Sequence, residues 1–359
     1  MLVSFIIPSY NSAHTVGRCL DSIYALALKQ EEFEVIFIDD CSTDNTIEVA
    51  EQYIRDVLRM TSDVYSNHFT LLRQLINNRQ GAARNRGVSV AQGEYICFVD
   101  SDDVVTEGVV DAIRLAKEKQ TDMVAFHIAY ASEKGEIIKE NERLSFPSGQ
   151  IFTGVEMQNN HYYWFSGPVA YIYNKTFLDK SNYPFREGVL FEDSDFVMVH
   201  IYYAQRMAYS PSLGYLAYYR DGSTTHSVSY KNQTDFLLLG TRMLALYTNV
   251  MHDIEYGIRK DEGIMEFAEG IVEGATYNVT KSLKRPYKQR SPGDVVSFYH
   301  RIDEHINRYE LFNDRRLHQI PQYWNLIATL SLNHKYLSIV LNSCLLIAYN
   351  IFMKIKRRR

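Results

Sequence analysis

The sequence predicts an α/β protein built on a doubly wound, mostly parallel sheet, followed by a C-terminal helical region. Two observations carry this prediction. Over roughly the first third of the chain, short apolar runs alternate with stretches of helical periodicity, which is typical of strand–helix–strand units. Three of the apolar runs end in polar clusters. The carboxyl ends of parallel strands share one edge of a sheet, where such folds bind ligands.

The elements follow from this alternation in chain order. Continuous apolar runs of strand length predict buried strands at 2–7, 33–38, 69–72, 95–99 and 123–129. Helices with apolar residues at three- and four-residue spacing are predicted between them, starting near Asn11 or Ser12, Ser42 or Thr43, Gly81, and Val105. Residues 133–160 are polar and predict a hairpin or a surface loop, and 232–312 predict helices.

Composition excludes some classes of function. The net charge is −5 and the isoelectric point is about 6.1, which gives no electrostatic basis for nucleic-acid binding. Four cysteines lack the spacing of a metal site, and this fits a reducing compartment. The apolar start of the chain stops at Pro8 without a basic segment before it, so no export signal is expected.

The stretch "YICFVDSDDVV" at 95–105 places three carboxylates directly after a buried strand. Carboxylates this close repel one another, and burial would raise their pKa values. Solvent, a cation or the hydrogen-bond donors of a ligand must therefore compensate Asp100, Asp102 and Asp103. Two more polar clusters, Pro8-Ser9-Tyr10-Asn11 and Asp39-Asp40, follow other strands, and together the three predict one shared site rather than three separate helix caps.

Three stretches together resemble glycosyltransferase family 2: "VSFIIPSYNS", "VIFIDDCSTDNT" and "NNRQGAARNRGVSVAQGEYICFVDSDD". The resemblance is close over about the first 110 residues and looser to about 226. It implies the GT-A fold, with a nucleotide-sugar held at the three strand ends. The domains expected are 1–230, catalytic, with a nucleotide-binding half (1–110) and an acceptor half (111–230); a helical region (231–330); and an apolar helix with a basic tail (331–359).

The resemblance implies roles for the strand-end residues. Asp102, in the family's Asp-x-Asp element, is expected to bind Mg²⁺ or Mn²⁺ directly, because these cations take oxygen ligands and leave places for phosphate oxygens. Asp100 is expected on the ribose or on a metal-bound water, and Asp103 is expected to cap the following helix.

The base and the phosphates of the donor are expected on neighbouring residues. Asp39, with Asp40 beside it, matches the position that accepts a hydrogen bond from the base, Tyr10 can stack on that base, and Pro8 can shape the loop. Arg84 is expected either to reach phosphate or base or to be a solvated surface arginine.

The pair Glu192-Asp193 in "NYPFREGVLFEDSDF" carries the expected chemistry. In isolation, two acids before an apolar helix favour a cap stabilised by the helix dipole. The resemblance instead implies that Asp193 is the general base of an inverting transfer and that Glu192 positions it or the acceptor. Arg220 in "YYRDGSTTHS" matches a late element expected to close over the diphosphate, together with Ser223 and His226.

The function expected is an inverting transfer of a sugar from a nucleotide-diphospho-sugar, most commonly UDP-linked in this family, to a hydroxyl of a glycan or a lipid-linked acceptor in cell-surface polysaccharide synthesis. Two alternatives remain open. "CFVDSDDVV" also resembles the first motif of haloacid-dehalogenase-type phosphatases, although that motif normally follows the first strand. A catalytically inactive sugar-binding scaffold on the same fold is the other alternative.

The end of the chain predicts contact with a membrane. Residues 336–353 are strongly apolar and five basic residues follow them. A docking helix and a membrane span are alternatives, but the stretch is short for a span and its charge opposes the positive-inside tendency. A helix in the cytoplasmic membrane interface is therefore expected. The localisation predicted is cytoplasmic, peripheral to the inner face of the membrane; the oligomeric state is not readable.

Overall fold

The computed structural model describes residues 1–56, 68–140, 147–159, 167–219 and 230–284. The chain divides into two compact units, Met1–Thr225 and His226–Arg359. In the first unit the strands are β1 Val3–Ser9, β2 Phe33–Asp39, β3 Phe69–Arg73, β4 Tyr95–Phe98, β5 Val104–Val105, β6 Met123–Ala131, β7 Ile137–Glu140, β8 Tyr171–Asn174 and β9 Met207–Tyr218. Its helices are α1 Val16–Tyr24, α2 Thr46–Asp56, α3 Arg79–Val90, α4 Gly108–Lys119, α5 Gly154–Asn159, α6 Lys175–Ser181 and α7 Glu192–Tyr203.

The first four strands form the parallel half of the sheet, in the order β3-β2-β1-β4. Every residue of β1, β2 and β4 is buried, as expected for strands covered on both faces. The chain runs outward from β1 through β2 to β3 and then returns to place β4 on the other side of β1. The strand order thus reverses beside β1, and in such sheets the crevice at the reversal is the usual ligand site.

The second half of the sheet is mixed. β8 lies antiparallel to both β4 and β6, β9 is parallel to β6, and β5 is antiparallel to β9. All strand pairs among β1 to β4 are parallel. The predicted parallel sheet is therefore confirmed for these four strands. The polar segment after β6 forms the predicted hairpin, because β7 pairs with β6 in antiparallel register.

Helix α3 packs unusually close to the sheet. A Cβ atom on Gly87 would lie 2.4 Å from Cγ2 of Ile6 and 3.0 Å from Cδ1 of Ile38, so only a glycine allows this approach of α3 to β1 and β2. This contact sets the short distance between α3 and the sheet. The first turn of α3 lies at the carboxyl ends of the strands.

Several boundaries differ from the sequence prediction. Val105 lies in β5 and not in a helix, because it pairs with Tyr215 of β9, and α4 begins only at Gly108. The apolar spacing of Val16, Leu20 and Ile23 would continue to Ala27, but α1 ends at Tyr24, so Ala27 is exposed and Leu26 is buried instead. The position of a short strand depends on the strand it pairs with, and the end of a helix depends on its tertiary contacts. The periodicity of the sequence carries neither kind of information.

The described part of the second unit contains two helices, α8 Tyr230–Glu255 and α9 Ile264–Lys284. The helices predicted from residue 232 are confirmed in this range, and the first has a buried apolar face formed by Phe236, Leu239, Met243, Leu246 and Val250. No helix among the described residues is long and apolar enough to cross a membrane. The expected apolar helix at 336–353 and its basic tail lie outside those residues.

Candidate active site

A cavity of about 480 Å³ opens at the carboxyl ends of β1 and β2 and under the start of α7. Its walls come from five separate parts of the chain, which explains why no single motif reveals it. The lining residues are Pro8, Ser9, Tyr10, Ser12, Asp40, Asn77, Arg79, Gln80, Ser101, Asp102, Val189, Leu190, Phe191, Glu192 and Asp193.

The residues that follow β1 and β2 are placed differently from one another. Tyr10 is 47% exposed at the cavity wall, so its ring is accessible to a ligand. Asp39 is fully buried, with its carboxylate accepting the Ser42 amide N–H at 3.1 Å and lying 3.8 Å from Nε of Arg73. Asp39 is absent from the cavity wall, where Asp40 stands instead.

Asp40 fixes the loop between β3 and α3. Its Oδ1 accepts the amide N–H of Asn78 at 2.9 Å and Nε2 of Gln74 at 3.0 Å. Burial raises the pKa of Asp40 above its ordinary value, although the hydrogen bond from Asn78 opposes the rise. The carboxylate of Asp40 therefore lines the cavity and also fixes the conformation of the loop between β3 and α3.

The turn after β4 holds three carboxylates in three different environments. Asp102 is half-buried and lines the cavity, whereas Asp100 is half-buried outside the lining. Asp103 is buried, and it accepts the Tyr215 hydroxyl at 2.8 Å and the Tyr218 amide N–H at 2.7 Å. The expected helix cap at Asp103 is therefore wrong: the carboxylate ties the turn to the end of β9.

The same turn is held from α1. Nη2 of Arg18 donates to the main-chain carbonyl of Asp102 at 2.6 Å, and its guanidinium lies 3.6 Å over the ring of Tyr218. The hydroxyls of Ser12 and Ser101 are 2.7 Å apart. Contacts from α1, β1 and β9 thus orient the turn that carries Asp102 before any ligand arrives.

Arg84 occupies a position that neither sequence interpretation anticipated. Its side chain is only 2% exposed, so it is not a solvated surface arginine. Nη1 donates to Oε1 of Glu192 at 2.6 Å and Nη2 donates to Oδ1 of Asp100 at 2.9 Å. Burial disfavours the cation, but the carboxylates of Asp100 and Glu192 raise the pKa of Arg84 more than burial lowers it, so the guanidinium stays charged.

Glu192 and Asp193 open helix α7, as the sequence predicts, and both line the cavity. Burial raises the pKa of Glu192 to about 7, with Arg84 limiting the rise. Burial also raises the pKa of Asp193 above its ordinary value; Arg84 opposes this and Asp100 adds to it. Carboxylates with raised pKa values in a cavity are typical of acid–base sites.

Backbone strain concentrates around this cavity. Asn11, Cys41, Arg79 and Phe191 all have φ between 50° and 67°, a left-handed conformation that side chains with a Cβ rarely adopt. Asn11 and Cys41 follow β1 and β2, Arg79 is the first residue of α3, and Phe191 directly precedes α7. Such strain persists only where surrounding contacts enforce it, and it clusters at functional sites.

Gly81 allows the two halves of the site to meet. A Cβ atom there would lie 2.1 Å from the main-chain oxygen of Arg186 and 3.0 Å from Cγ of Glu192. The first turn of α3 therefore contacts the segment before α7 directly. This close approach brings Arg84 within hydrogen-bond distance of Glu192.

The donor set fits a divalent cation that arrives with its ligand. In the described ranges, no group of three or more His, Cys, Asp and Glu side chains is placed to hold a metal ion. Mg²⁺ and its relatives, however, commonly bind through one or two carboxylates plus substrate phosphates and water. Asp102, at the cavity wall, offers such a carboxylate.

The structure brings together most of the predicted site residues. Six of them line the cavity: Pro8, Tyr10, Asp40, Asp102, Glu192 and Asp193. Asp39, Arg84 and Asp100 are not part of its lining, and the expected late element of Arg220, Ser223 and His226 lies outside the described residues. Asn77, Arg79 and Gln80 were missed, although they form a fourth polar cluster after a strand, and the strand-end rule could have found them.

Comparisons with known proteins agree with this geometry. The family described as "Glycosyl transferase family 2" matches residues 4–188. A poly(ribitol-phosphate) beta-glucosyltransferase of Bacillus spizizenii is 36% identical over 124 residues, which are 34% of this chain and 18% of that protein. The poly(ribitol-phosphate) beta-N-acetylglucosaminyltransferase TarS of Staphylococcus aureus is 31% identical over 136 residues, 38% of this chain and 22% of TarS.

A solved structure extends the likeness to most of the chain. The crystal structure of S. aureus TarS 1-349 in complex with UDP-GlcNAc matches with a TM-score of 0.60 and 22% identity, covering 90% of both chains. At this identity the likeness establishes the fold. The sequence matches to the two curated relatives span only about a fifth of their lengths.

The cavity lies at the carboxyl ends of parallel strands, and the structure resembles that of TarS. Together these findings assign the chain to the GT-A fold of sugar-nucleotide transferases. The chain belongs to glycosyltransferase family 2. The family resemblance and the fold predicted from the sequence are thereby confirmed, and the phosphatase alternative is excluded.

Proposed function

We propose that this protein transfers a sugar, with inversion, from a nucleotide-diphospho-sugar to a hydroxyl of a glycan or a lipid-linked acceptor in cell-surface polysaccharide synthesis. One observation carries the proposal: carboxylates from both halves of the fold face a single cavity. Asp40 and Asp102 approach it from the strand ends, and Glu192 and Asp193 from the start of α7. The diphosphate of a bound donor and the general base that deprotonates the acceptor hydroxyl could therefore lie on either side of the same sugar.

The proposed donor carries UDP, and two crystal structures of one similar protein support this choice. TarS has been crystallised with UDP-GlcNAc and with UDP. In this chain Tyr10 and Pro8 would contact the base, with the buried Asp39 behind them, and Arg79 and Arg220 would balance the charge of the diphosphate. Selection of the sugar would depend on the side chains at 189–191, which also line the cavity.

Asp193 is the proposed general base. It lines the cavity with a raised pKa, whereas the neighbouring Glu192 is already bound by Arg84. A base must accept a proton from the acceptor hydroxyl, and a carboxylate with a pKa nearer to neutrality does so more effectively. Glu192 would then hold the acceptor side of the site in place through its ion pair.

Mg²⁺ or Mn²⁺ is the proposed cofactor, with Asp102 as its direct ligand and Asp100 on a metal-bound water or the ribose. Such a cation neutralises charge on a departing diphosphate. Asp100 can contribute only part of its carboxylate, because its Oδ1 accepts a hydrogen bond from Arg84. Peripheral contact with the inner face of the cytoplasmic membrane, through residues 336–359, completes the proposal.

Ligand binding tests the function directly. Thermal unfolding of the full chain is measured with UDP-, GDP- and dTDP-sugars, each with Mn²⁺, with Mg²⁺ and with a chelator. A donor that binds only the folded state raises the melting temperature, and hydrolysis of that donor should follow. An inactive scaffold would show the temperature shift without hydrolysis, and the absence of any shift would contradict the proposal.

Asp102→Asn should remove most of the metal-dependent donor turnover. The residue is half-buried on a polar wall, so the amide is expected to leave the fold intact while losing the charge that binds the cation. Turnover is measured against Mn²⁺ concentration, with circular dichroism as a check on folding. Near-normal turnover at saturating Mn²⁺ would show that another group binds the metal.

A further inference from the structure

The wall of the cavity carries more negative than positive charge. Among its described lining residues one cation, Arg79, stands against four carboxylates, those of Asp40, Asp102, Glu192 and Asp193. Arg79 is the first residue of α3, and its proposed role is to balance the donor diphosphate. The stretch of wall at 189–193 contains two of the carboxylates and no cation. A ligand group that reaches this stretch therefore meets only negative charge there.

The buried cation Arg84 does not change this balance for a ligand. Its Nη1 donates to Oε1 of Glu192 at 2.6 Å, and its Nη2 donates to Oδ1 of Asp100 at 2.9 Å. The side chain is 2% exposed and is not part of the cavity wall. Its charge is thus shared between two carboxylates, and it compensates Glu192 rather than Asp193.

Asp193 keeps an unbalanced charge at the wall. Its Oδ1 accepts the neutral hydroxyl of Ser194 at 3.4 Å, and none of the described residues forms an ion pair with it. Arg84 lowers the pKa of Asp193 from a distance and Asp100 raises it, so these two neighbours act in opposite directions. A general base works only in its deprotonated form, so Asp193 is negatively charged whenever the site is competent for transfer.

The segment that leads into this part of the wall is anchored on α3. The amide N–H of Gly188 donates to the main-chain oxygen of Asn78 at 2.9 Å, and Oδ1 of Asn85 accepts the amide N–H of Phe185 at 2.9 Å. Arg186 lies between these two anchors and does not line the cavity. The anchors oppose any movement of the main chain that would bring its guanidinium to the wall.

A sugar beside Asp193 meets this carboxylate and the apolar side chains of 189–191, which are half-buried in the same wall. An uncharged pyranose tolerates both, because its hydroxyls can donate to the carboxylate and its C–H face can pack against apolar side chains. An ionised carboxyl group on the sugar would instead be repelled by Asp193, and partial burial strengthens the repulsion because less water screens it. Binding sites often gain specificity through such an unfavourable contact with the wrong ligand.

We propose that Asp193 restricts the donor to nucleotide-sugars with an uncharged sugar and excludes those of uronic acids. This inference rests on the proposed function, which places the donor sugar between the diphosphate and Asp193. The general base is then also a specificity-determining residue, because the carboxylate that accepts the proton of the acceptor hydroxyl also repels an anionic donor.

Two pairs of donors test the exclusion. UDP-glucose differs from UDP-glucuronate, and UDP-galactose from UDP-galacturonate, only in carrying a hydroxymethyl group in place of a carboxylate. Binding of all four to the full chain is measured by calorimetry at one fixed concentration of Mn²⁺, with UDP alone as the reference. Each uronate is expected to bind at least about tenfold more weakly than its neutral partner, because the nucleotide and diphosphate contacts are the same within a pair.

Asp193→Asn separates the charge of the side chain from its shape. The amide has the size of the carboxylate without its charge, so the difference within each pair should largely disappear while the neutral donors bind nearly as before. Asp195→Asn is the matched control, since Asp195 is buried in the same helical turn but is not part of the wall. This control should keep the full difference, and binding of UDP alone reports that both variants are folded.

Leu190→Arg approaches the same question by adding a cation to the wall. It should tighten the binding of UDP-glucuronate more than that of UDP-glucose, because the new guanidinium can pair with the carboxylate of the sugar. Ile138→Arg is the control for added charge, since Ile138 lies on the exposed strand β7 and does not line the cavity. It should change the affinity for neither donor.

The possible results separate this inference from the proposed function. Equal binding within both pairs would overturn the inference and leave the proposed function in place. A difference that persists in Asp193→Asn would also overturn it, because another feature of the site would then exclude the uronates. Binding of none of the four donors would contradict the proposed UDP-sugar donor itself, and the inference with it.

Discussion

Asp193→Asn is expected to depress sugar transfer by about 10²–10⁴-fold, the effect typical of losing a general base, while nucleotide-sugar binding stays nearly unchanged. Asn has the size and shape of Asp but cannot take up the proton of the acceptor hydroxyl. Asp193 stands at the cavity wall at the first turn of α7, away from the strand ends proposed for the nucleotide. Rapid-quench transfer and calorimetric donor binding measure the two quantities separately.

Asp195→Asn is the matched control for that change. Asp195 lies in the same helical turn and is buried, but it is not part of the cavity wall. If Asp193 acted only through the helix dipole, both variants would show similar, small losses. Equal losses of binding and transfer in Asp193→Asn would make it a structural residue and place the base elsewhere.

The pH dependence of transfer follows from the same assignment. A base works only in its deprotonated form, so transfer should rise with pH through the pKa of Asp193. Burial places that pKa above the ordinary value of an aspartate. The acidic limb of the profile should therefore lie above the range of a solvated carboxyl, and it should be absent from the residual activity of Asp193→Asn.

Sequence periodicity predicted the part of the fold that depends on local pattern. Buried strands such as Val3–Ser9 and Phe33–Asp39 are largely apolar runs, and their short length favours a strand over a buried helix. From these strands, the rule that parallel strands share their carboxyl edge predicts that the residues after β1, β2 and β4 lie together. Asp40 and Asp102 do face one cavity there.

The rest of the site depends on partners that are distant in sequence. Arg84 meets Glu192 across 108 positions and Asp103 meets Tyr215 across 112, so no local pattern contains either pair. The helical face that carries Arg84 gave no indication that α7 covers it. The depth of that packing comes from Gly81, whose missing side chain admits the main chain of Arg186.

Arg84→Met should abolish donor turnover and destabilise the fold, and the loss of stability should grow with pH. Arg84 is the buried cation between Asp100 and Glu192, and removing one member of a buried ion pair commonly costs about 3–5 kcal/mol. Part of this cost is avoided when Glu192 takes up a proton. Its pKa is already about 7 with Arg84 in place, and it rises further when the cation is removed.

The sign of the pH effect follows from linkage. A carboxyl whose pKa is higher in the folded than in the unfolded protein stabilises the fold at low pH, and this stabilisation is lost as pH rises through the folded pKa. Urea unfolding of Arg84→Met should therefore show a larger deficit at pH 8 than at pH 5.5. Adding Glu192→Gln should remove that difference and restore part of the stability without restoring turnover, because an uncharged amide needs no buried cation beside it. A deficit that is equal at both pH values would show that Arg84 does not act by balancing the charge of Glu192.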